Sequence, residues 1–592
     1  MLNRKIERIL LIQPPRTIYK EVENPRSAPP LGLAYLAAVL ENLYDVKILD
    51  AVAEGFWNVK ELGDGMVSYG LGSKDIDTRI LQYKPDVVGI SSMFSYQHSN
   101  VKELAIRIKS LCKDIVVVTG GDHPTALPRE VLAESNIDYV ILGEGDYSFR
   151  SLLKALENGK NISEVDGLAF KDGDTIKINP KSCFIQNIDD LPFPARHLLP
   201  MTKYSEINMS HSVAPIENFR LPYTPIVSSR GCPAACTYCS CEFMWGKHKF
   251  RARSADNVLK EIELLVSQGY KEIYFDDDNF AHDKKRVHKI LDGILEQKWD
   301  LTWSLPNGVA LYRLDRPLLE KMKLSGCYSM NLPIESGSQR VLKIMRKPLN
   351  LKKVPALVQI MKELGIYTIG MFMIGTPGEK KEDIEMTLEA AAKLKQTGLD
   401  YVEFFITIPL PGTKIYEECL KKEYIKDIDF SKMNIARGTI TTPEFDPEYL
   451  EKARHRGWIM CNFSYNTDFI LYPDEVEKIE HKLTKLSVKE NARIFIAGNA
   501  PLLENLLRKK GYSLSSFSKG NEILKIVQKN KPDLLIIEKE LPDMQGWNIL
   551  RMMRKDKRSN GFPIILIVKE DQDMLKGKNI VWLIQEVLDK KN

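Results

Sequence analysis

Short runs of β-branched and aliphatic residues recur along the chain, each followed by a stretch with helical spacing, and this alternation limits the fold more than any other feature. RILLIQ, DVKILDA, DVVGISS, IVVVTGG and YVILGEG lie between residues 1 and about 160. Continuous apolar strands interleaved with helices predict a parallel sheet covered on both faces. Six further units, TPIVSSRGC, EIYFDDD, TWSLPNGV, SMNLPIE, TIGMFMIG and YVEFFITIP, follow between 223 and about 425 and predict a partial parallel (β/α)6 barrel. A third alternation (RIFIAGN, LLENLLRKKG, PDLLIIEKELPDMQGWNILRMMR, PIILIV) fills 491–592, one domain's worth of chain.

The class is therefore α/β, in five segments: a Rossmann-like ligand-binding domain over 1–160, a bridge over 161–222, the barrel over 223–430, a charge-rich helical extension over 431–490, and a last α/β domain over 491–592. In the bridge, GDTIKINP reads as a hairpin and LPFPARHLLP as an extended connector. Open sheets and barrels bind ligands at the carboxyl ends of their strands. That rule singles out Gly120, Gly121, Gly143 and Gly145 in the first domain, and Cys232, Asp276 to Asp278, Glu335 and Gly375 in the barrel.

Charge narrows the partners. The 84 Lys and Arg against 79 Asp and Glu leave a net +5 spread over 592 residues, so no cationic field for nucleic acid is expected. The apolar run in the opening segment is only Ile9 to Ile12, and no stretch reaches the ~18 apolar residues of a membrane span. The expected location is the cytoplasm, where thiols stay reduced. Four of the nine cysteines nevertheless fall between Cys232 and Cys241. SSRGCPAACTYCSCEFMWG gives Cys232, Cys236 and Cys239 in a C-x3-C-x2-C pattern. Thiolates are the ligands of iron–sulfur clusters and zinc. A structural zinc site closes with four ligands; Cys241 or His248 could supply a fourth, but only Ser240 separates Cys241 from Cys239, poor spacing for one ion. Three cysteines on a four-iron cube leave one iron open. Cys112, Cys183, Cys327, Cys419 and Cys461 are scattered and read as structural.

C-x3-C-x2-C at the end of the first strand of a six-unit barrel resembles the radical S-adenosylmethionine superfamily. The resemblance implies a [4Fe–4S] cluster on Cys232, Cys236 and Cys239, with S-adenosylmethionine chelating the open iron and reductively cleaved to a 5′-deoxyadenosyl radical. It places Glu335 and Ser336 of NLPIESGS and Gly375 of MIGTPGE against that cofactor; IPLPGT ends the sixth strand, and the acidic DDDNF (Asp276 to Phe280) reads as barrel-mouth polarity rather than a magnesium site. The first domain resembles the cobalamin-binding domain found ahead of such barrels, in APPLGLAYLAAVLE, GISSMF, GGDHPT and GEGD. The D-x-H-x-x-G segment of cobalamin-dependent mutases is matched by Asp50 to Gly55, with Val52 in the histidine's place, which argues against a mutase. Asp50, Ser91, Ser92, Gly120, Gly121, Gly143 and Glu144 are the residues implied for the cobalamin pocket, and His123 suits packing or capping there better than cobalt ligation. PDLLIIEKELPDMQGWNILRMMR resembles a response-regulator receiver, with Glu538 at the phosphoacceptor position, Gly498-Asn499 in place of the magnesium-binding acidic pair, and Val568 and Lys569 after the fourth strand. This predicts a pseudo-receiver used for interaction or self-association.

Together these resemblances imply a cobalamin-dependent radical enzyme, a methyltransferase acting on an unactivated carbon. The alternatives are a cyclase or oxidoreductase without methyl transfer, or a corrinoid or redox sensor signalling through the receiver-like domain. The implied partners are a small-molecule, lipid or peptide substrate and a low-potential donor such as ferredoxin or flavodoxin.

Overall fold

The computed structural model describes residues 5–19, 27–63, 65–133, 136–159, 161–207, 219–426, 429–462, 468–471, 493–498, 504, 507–508, 512–538, 541–544, 546–555, 562 and 564–567. The five strands expected in the first domain all form: Arg8–Gln13, Asp45–Asp50, Val87–Ser91, Val116–Gly120 and Tyr139–Ile141. They are parallel, and Arg8–Gln13 lies between Asp45–Asp50 and Val87–Ser91. The strand period of two decides which helices each side chain meets. Ile9 and Leu11 join a buried cluster with Leu33, Ala37 and Leu152, whereas Leu10 and Ile12 join Ile76, Leu104 and Ile108 on the other face. The hairpin read from GDTIKINP forms as Leu168–Asp172 and Thr175–Ile178, and it adds two antiparallel strands to this sheet beside Tyr139–Ile141.

The six barrel strands are Tyr223–Ile226, Glu272–Phe275, Thr302–Leu305, Cys327–Glu335, Tyr367–Ile374 and Tyr401–Ile406, parallel and in chain order. Trp303, Met330, Leu332, Phe372, Val402 and Phe404 belong to the buried layer shared with the outer helices. Glu403 and Phe405 alternate with them and are half-buried. A six-stranded sheet of this kind stays open, and the helix Pro447–Asn462 covers the sixth strand. Asn462 Oδ1 accepts from the Val402 amide at 2.9 Å and its Nδ2 donates to the Val402 carbonyl at 2.7 Å, while Arg454 Nε donates to the Phe404 carbonyl at 2.8 Å. Side chains thus satisfy backbone groups that a seventh strand would otherwise pair.

The third sheet is parallel in the order Asp468–Leu471, Ile564–Ile567, Leu534–Glu538, Arg493–Ala497, Ser513–Phe517. Asp468–Leu471 departs from the helical reading of 431–490: its four residues, DFIL, are mostly apolar and extended, and they pair with Ile564–Ile567. Asn499, Val568 and Lys569 lie outside the described residues. Among the described residues no helix is long and apolar enough to cross a membrane.

Candidate active site

The first barrel strand runs into a loop whose shape depends on Gly231. Its φ is +83°, and a Cβ there would lie 2.4 Å from the Lys249 carbonyl oxygen, so only glycine fits. The Gly231 amide donates to Asp278 Oδ2 at 2.8 Å. Farther along, the Thr237 amide donates to the Met345 carbonyl at 3.0 Å and the Thr237 carbonyl accepts from the Ile415 amide at 3.1 Å. The loop is therefore hung from segments following the fourth and sixth strands, over the carboxyl end of the barrel.

On this loop Cys232, Cys236, Cys239 and Cys241 are free thiols, partly exposed. Asn279 Nδ2 donates to Cys232 Sγ at 3.3 Å, and Cys241 Sγ donates to Asp278 Oδ1 at 3.2 Å. Burial pushes the Cys236 thiol up to about 11, opposed by the Lys347 ammonium; Cys239 is drawn below the ordinary thiol range, chiefly by its hydrogen bond from Cys241. Among the described residues no three His, Cys, Asp or Glu side chains converge on a single-ion position. The fit to a cluster rests on donor chemistry: three thiols free of disulfides on one tethered loop, hydrogen bonds to Cys232 and Cys239, and the half-buried Lys347 ammonium near Cys236 and Cys239.

That cation belongs to a compact group. Glu335 ends the fourth strand with φ +68°, and its Oε1 accepts from Tyr238 Oη at 2.9 Å and from Lys347 Nζ at 2.9 Å. Lys347 is raised above the ordinary lysine range: burial works against its charge, and Glu335 and Cys236 outweigh it. Sequence reading gave no role to Tyr238 or Lys347. Tyr238 sits between two cysteines, a signal available in the motif, but nothing in the spacing links position 347 to the loop.

Other candidate residues are distributed differently. Ser336 is fully buried, with its Oγ 3.1 Å from Thr387 Oγ1 and accepting from the Ser338 amide, so it braces the helical layer. Gly375 has φ +88° and its amide donates to Glu379 Oε2 at 2.7 Å. The three aspartates of DDDNF each serve a separate contact: Asp276 accepts from Asn307, Asp277 from the Ser228 amide and the Ser228 and Ser229 hydroxyls, and Asp278 from Gly231 and Cys241. Of the scattered cysteines, Cys327, Cys419 and Cys461 are buried, while Cys112 and Cys183 are exposed and so do not pack in a core.

In the first domain, Ser91, Ser92, Gly120 and Gly121 come together at the ends of adjacent strands. Gly121 has φ +122°, and a Cβ there would lie 2.5 Å from the Ser92 carbonyl oxygen. His98 and His123 stack beside them with ring centroids 4.2 Å apart. His123 Nδ1 is buried with no hydrogen-bond partner among the described residues, and burial lowers the ring to about 3. Met93 and Phe94 stand exposed next to Ser92. Close backbone, an unpartnered imidazole nitrogen and bare apolar side chains suit a large, partly apolar ring system. Asp50 is elsewhere: on the sheet's edge strand, it caps the short helix Ala51–Glu54 by accepting from the Val52 and Ala53 amides and is closed off by Tyr204 Oη at 2.6 Å. Gly143 packs against the Met244 backbone, and Glu144 is taken up by Arg230 and Arg251 of the barrel.

The two halves of the site face each other. The helix Asp122–Ala126 lies against the cysteine-loop helix Cys241–Trp245: a Cβ on Gly412 would meet Phe243 at 3.0 Å and Ala126 at 3.1 Å. The Asp122 carboxyl, pushed up to about 6 by burial, takes a hydrogen bond from Ser240.

Comparisons with known proteins match this arrangement. Residues 25–153 fit a family described as B12 binding domain, 226–391 the Radical SAM superfamily, and 497–592 the response regulator receiver domain. Cytidylyl-2-hydroxyethylphosphonate methyltransferase of Streptomyces wedmorensis is 34% identical over 477 residues, 74% of this chain and 87% of its own. The chain belongs to the cobalamin-binding radical S-adenosylmethionine family. Within this family, the anaerobic magnesium-protoporphyrin IX monomethyl ester cyclase of Rubrivivax gelatinosus is 27% identical, covering 77% of each chain. Among solved structures, the cobalamin-dependent S-adenosylmethionine radical enzyme OxsB with aqua-cobalamin and S-adenosylmethionine bound superposes with a TM-score of 0.59 at 17% identity, covering 85% of this chain and 70% of that one. As a family member the chain is a radical S-adenosylmethionine enzyme whose cofactors are a [4Fe–4S] cluster, S-adenosylmethionine and cobalamin.

Proposed function

We propose that this enzyme transfers a methyl group to an unactivated carbon of a small-molecule substrate, replacing a C–H hydrogen that leaves as part of 5′-deoxyadenosine. The observation that carries the reading is the apposition of the cobalamin-side edge, at Asp122–Ala126, with the cysteine loop at Ser240–Trp245. The phosphonate methyltransferase relative, 34% identical, supports it.

Cys232, Cys236 and Cys239 would hold the cluster, which when bound supplies the low-potential electron for cleaving the sulfonium, and the first domain's Ser91, Ser92, Gly120 and Gly121 would hold the corrinoid that carries the methyl group. The chain's own residues prepare the site. Lys347 offsets the negative charge gathered by three thiolates and Glu335. Tyr238 and Lys347 together fix the Glu335 carboxylate at the mouth of the barrel. The tethered loop and the first-domain helix Asp122–Ala126 lie over the carboxyl end of the barrel, where a carbon radical would have to be shielded from side reactions. The reading includes a one-electron donor of the ferredoxin or flavodoxin kind and a reducing, cytoplasmic setting that keeps the thiols free.

The cyclase relative motivates a second outcome, oxidation or ring closure without methyl transfer. Product analysis separates the two. Methyl transfer consumes two S-adenosylmethionine per turnover and yields S-adenosylhomocysteine alongside 5′-deoxyadenosine, whereas 5′-deoxyadenosine alone would overturn the methyltransferase reading.

A further inference from the structure

The base of the cysteine loop is fastened to the first domain by a buried charge cluster. Ser229–Arg230 and Arg251–Ala252 form a two-stranded antiparallel ladder that closes the loop carrying the three cysteines. Arg230 Nη1 donates to Glu144 Oε1 at 2.7 Å and to Asp146 Oδ2 at 2.7 Å. Arg251 Nη1 donates to Glu144 Oε2 at 2.8 Å and to the Ile185 carbonyl at 2.7 Å. None of the four side chains is more than 7% exposed. The Arg230 guanidinium also lies 5.2 Å from the Tyr35 ring of the first domain and 5.4 Å from the Trp245 ring of the cysteine loop. Two arginines and two carboxylates balance in charge; Arg230 and Arg251 Nη1 are engaged with the carboxylates, while Arg251 Nε and Nη2 have no hydrogen-bond partner among the described residues.

A buried ion cluster contributes little net stability over apolar packing of the same volume, but it is directional. Arg230 is two residues ahead of Cys232. Glu144 and Asp146 directly follow the strand Tyr139–Ile141, which pairs with the strand ending at Gly120. The cluster therefore ties the implied corrinoid pocket to the implied cluster loop through a few rigid bonds.

We propose that Glu144 and Asp146 are positioning residues that fix the spacing and orientation between the corrinoid edge of the first domain and the cysteine loop, and so keep radical formation in step with methyl delivery. The proposal rests on the two-cofactor reading above. Loosening the clamp leaves both cofactors bound but lets S-adenosylmethionine be cleaved without productive methyl transfer.

The test uses the full chain reconstituted anaerobically with iron, sulfide and hydroxocobalamin, as wild type and as Asp146→Asn and Arg230→Lys. The first variant removes one charge at constant shape; the second keeps the charge but loses the planar fork that spans two carboxylates. Iron and corrinoid content are measured first, then the distance distribution between the reduced cluster and cob(II)alamin by pulsed electron paramagnetic resonance. The expected result is wild-type loading in both variants, a single narrow distance in the wild type, a broadened or second distance in the variants, and a several-fold higher ratio of 5′-deoxyadenosine to S-adenosylhomocysteine. An unchanged narrow distance with an unchanged ratio overturns the proposal, as does selective loss of corrinoid, which would make these residues part of the pocket itself. Either variant decides alone if the other does not fold. Wild-type chain that takes up no cluster or no corrinoid would instead refute the two-cofactor reading.

Discussion

Lys347 is a half-buried ammonium near Cys236 and Cys239 and bonded to Glu335, and a cation so placed favours whichever state of its surroundings carries more negative charge. Adding an electron to a thiolate-bound cluster increases that charge. Lys347→Met is therefore expected to retain iron but shift the cluster's reduction potential to a more negative value in a dye-mediated titration; an unshifted potential would show that Lys347 serves Glu335 alone. The three cysteines stand out in the sequence because ligand spacing is local and chemically narrow, and the structure carries them as free thiols on one tethered loop. Lys347 does not stand out, because it reaches the loop only through the turn after the fourth strand. Asp50 shows what a one-dimensional motif match does not disclose: its carboxyl group accepts from two amides and from Tyr204.

At the level of elements, strand–helix alternation disclosed the parallel strands of all three main sheets, because a strand covered on both faces must be continuously apolar. It did not disclose how the open barrel edge is closed. That depends on Asn462, one amide whose two ends match the Val402 carbonyl and amide. Asn462→Leu leaves both backbone groups buried without partners and is expected to cost about 1–3 kcal/mol per unsatisfied group, read as a loss of unfolding free energy in denaturant; a variant as stable as the wild type would mean the edge is closed by packing alone. The loop after the fifth strand carries a pH signature. Glu379 is fully buried, accepts from the Gly375 and Thr376 amides, and is pushed up to about 8 by burial from an ordinary 4.5. The folded state thus holds this proton more tightly than the unfolded chain does, so its contribution is full below about 4.5 and is lost as pH rises toward about 8. Glu379→Gln should flatten the fall in melting temperature across that window, and an unchanged slope would assign it to other groups.

Taken whole, the molecule sets a cobalamin-binding sheet against the mouth of a six-stranded barrel, with the cysteine loop between them and a receiver-like domain following. Each domain could be read from its own stretch of sequence, since each has its own period and strand-end residues. Their mutual placement could not, because the contacts that set it, from Glu144 and Asp146 to Arg230 and from Asp122 to Ser240, join positions more than 80 residues apart with no pattern connecting them. In the receiver-like domain, Glu538 ends its strand against Gly498, where a Cβ would lie 2.5 Å from the Glu538 side chain; the position is filled by packing, and no phosphorylation by acetyl phosphate is expected.

Cooperation of a corrinoid and a radical site of one chain in methyl transfer can be tested without knowing the substrate. Reconstituted enzyme is given S-adenosylmethionine labelled in its methyl group together with a low-potential reductant, and the corrinoid and nucleoside products are quantified by mass spectrometry. The expected products are labelled methyl on the corrinoid, a matching quantity of S-adenosylhomocysteine, and separately 5′-deoxyadenosine that disappears when Cys232, Cys236 and Cys239 are replaced by alanine. Formation of 5′-deoxyadenosine with no labelled corrinoid and no S-adenosylhomocysteine would contradict that cooperation.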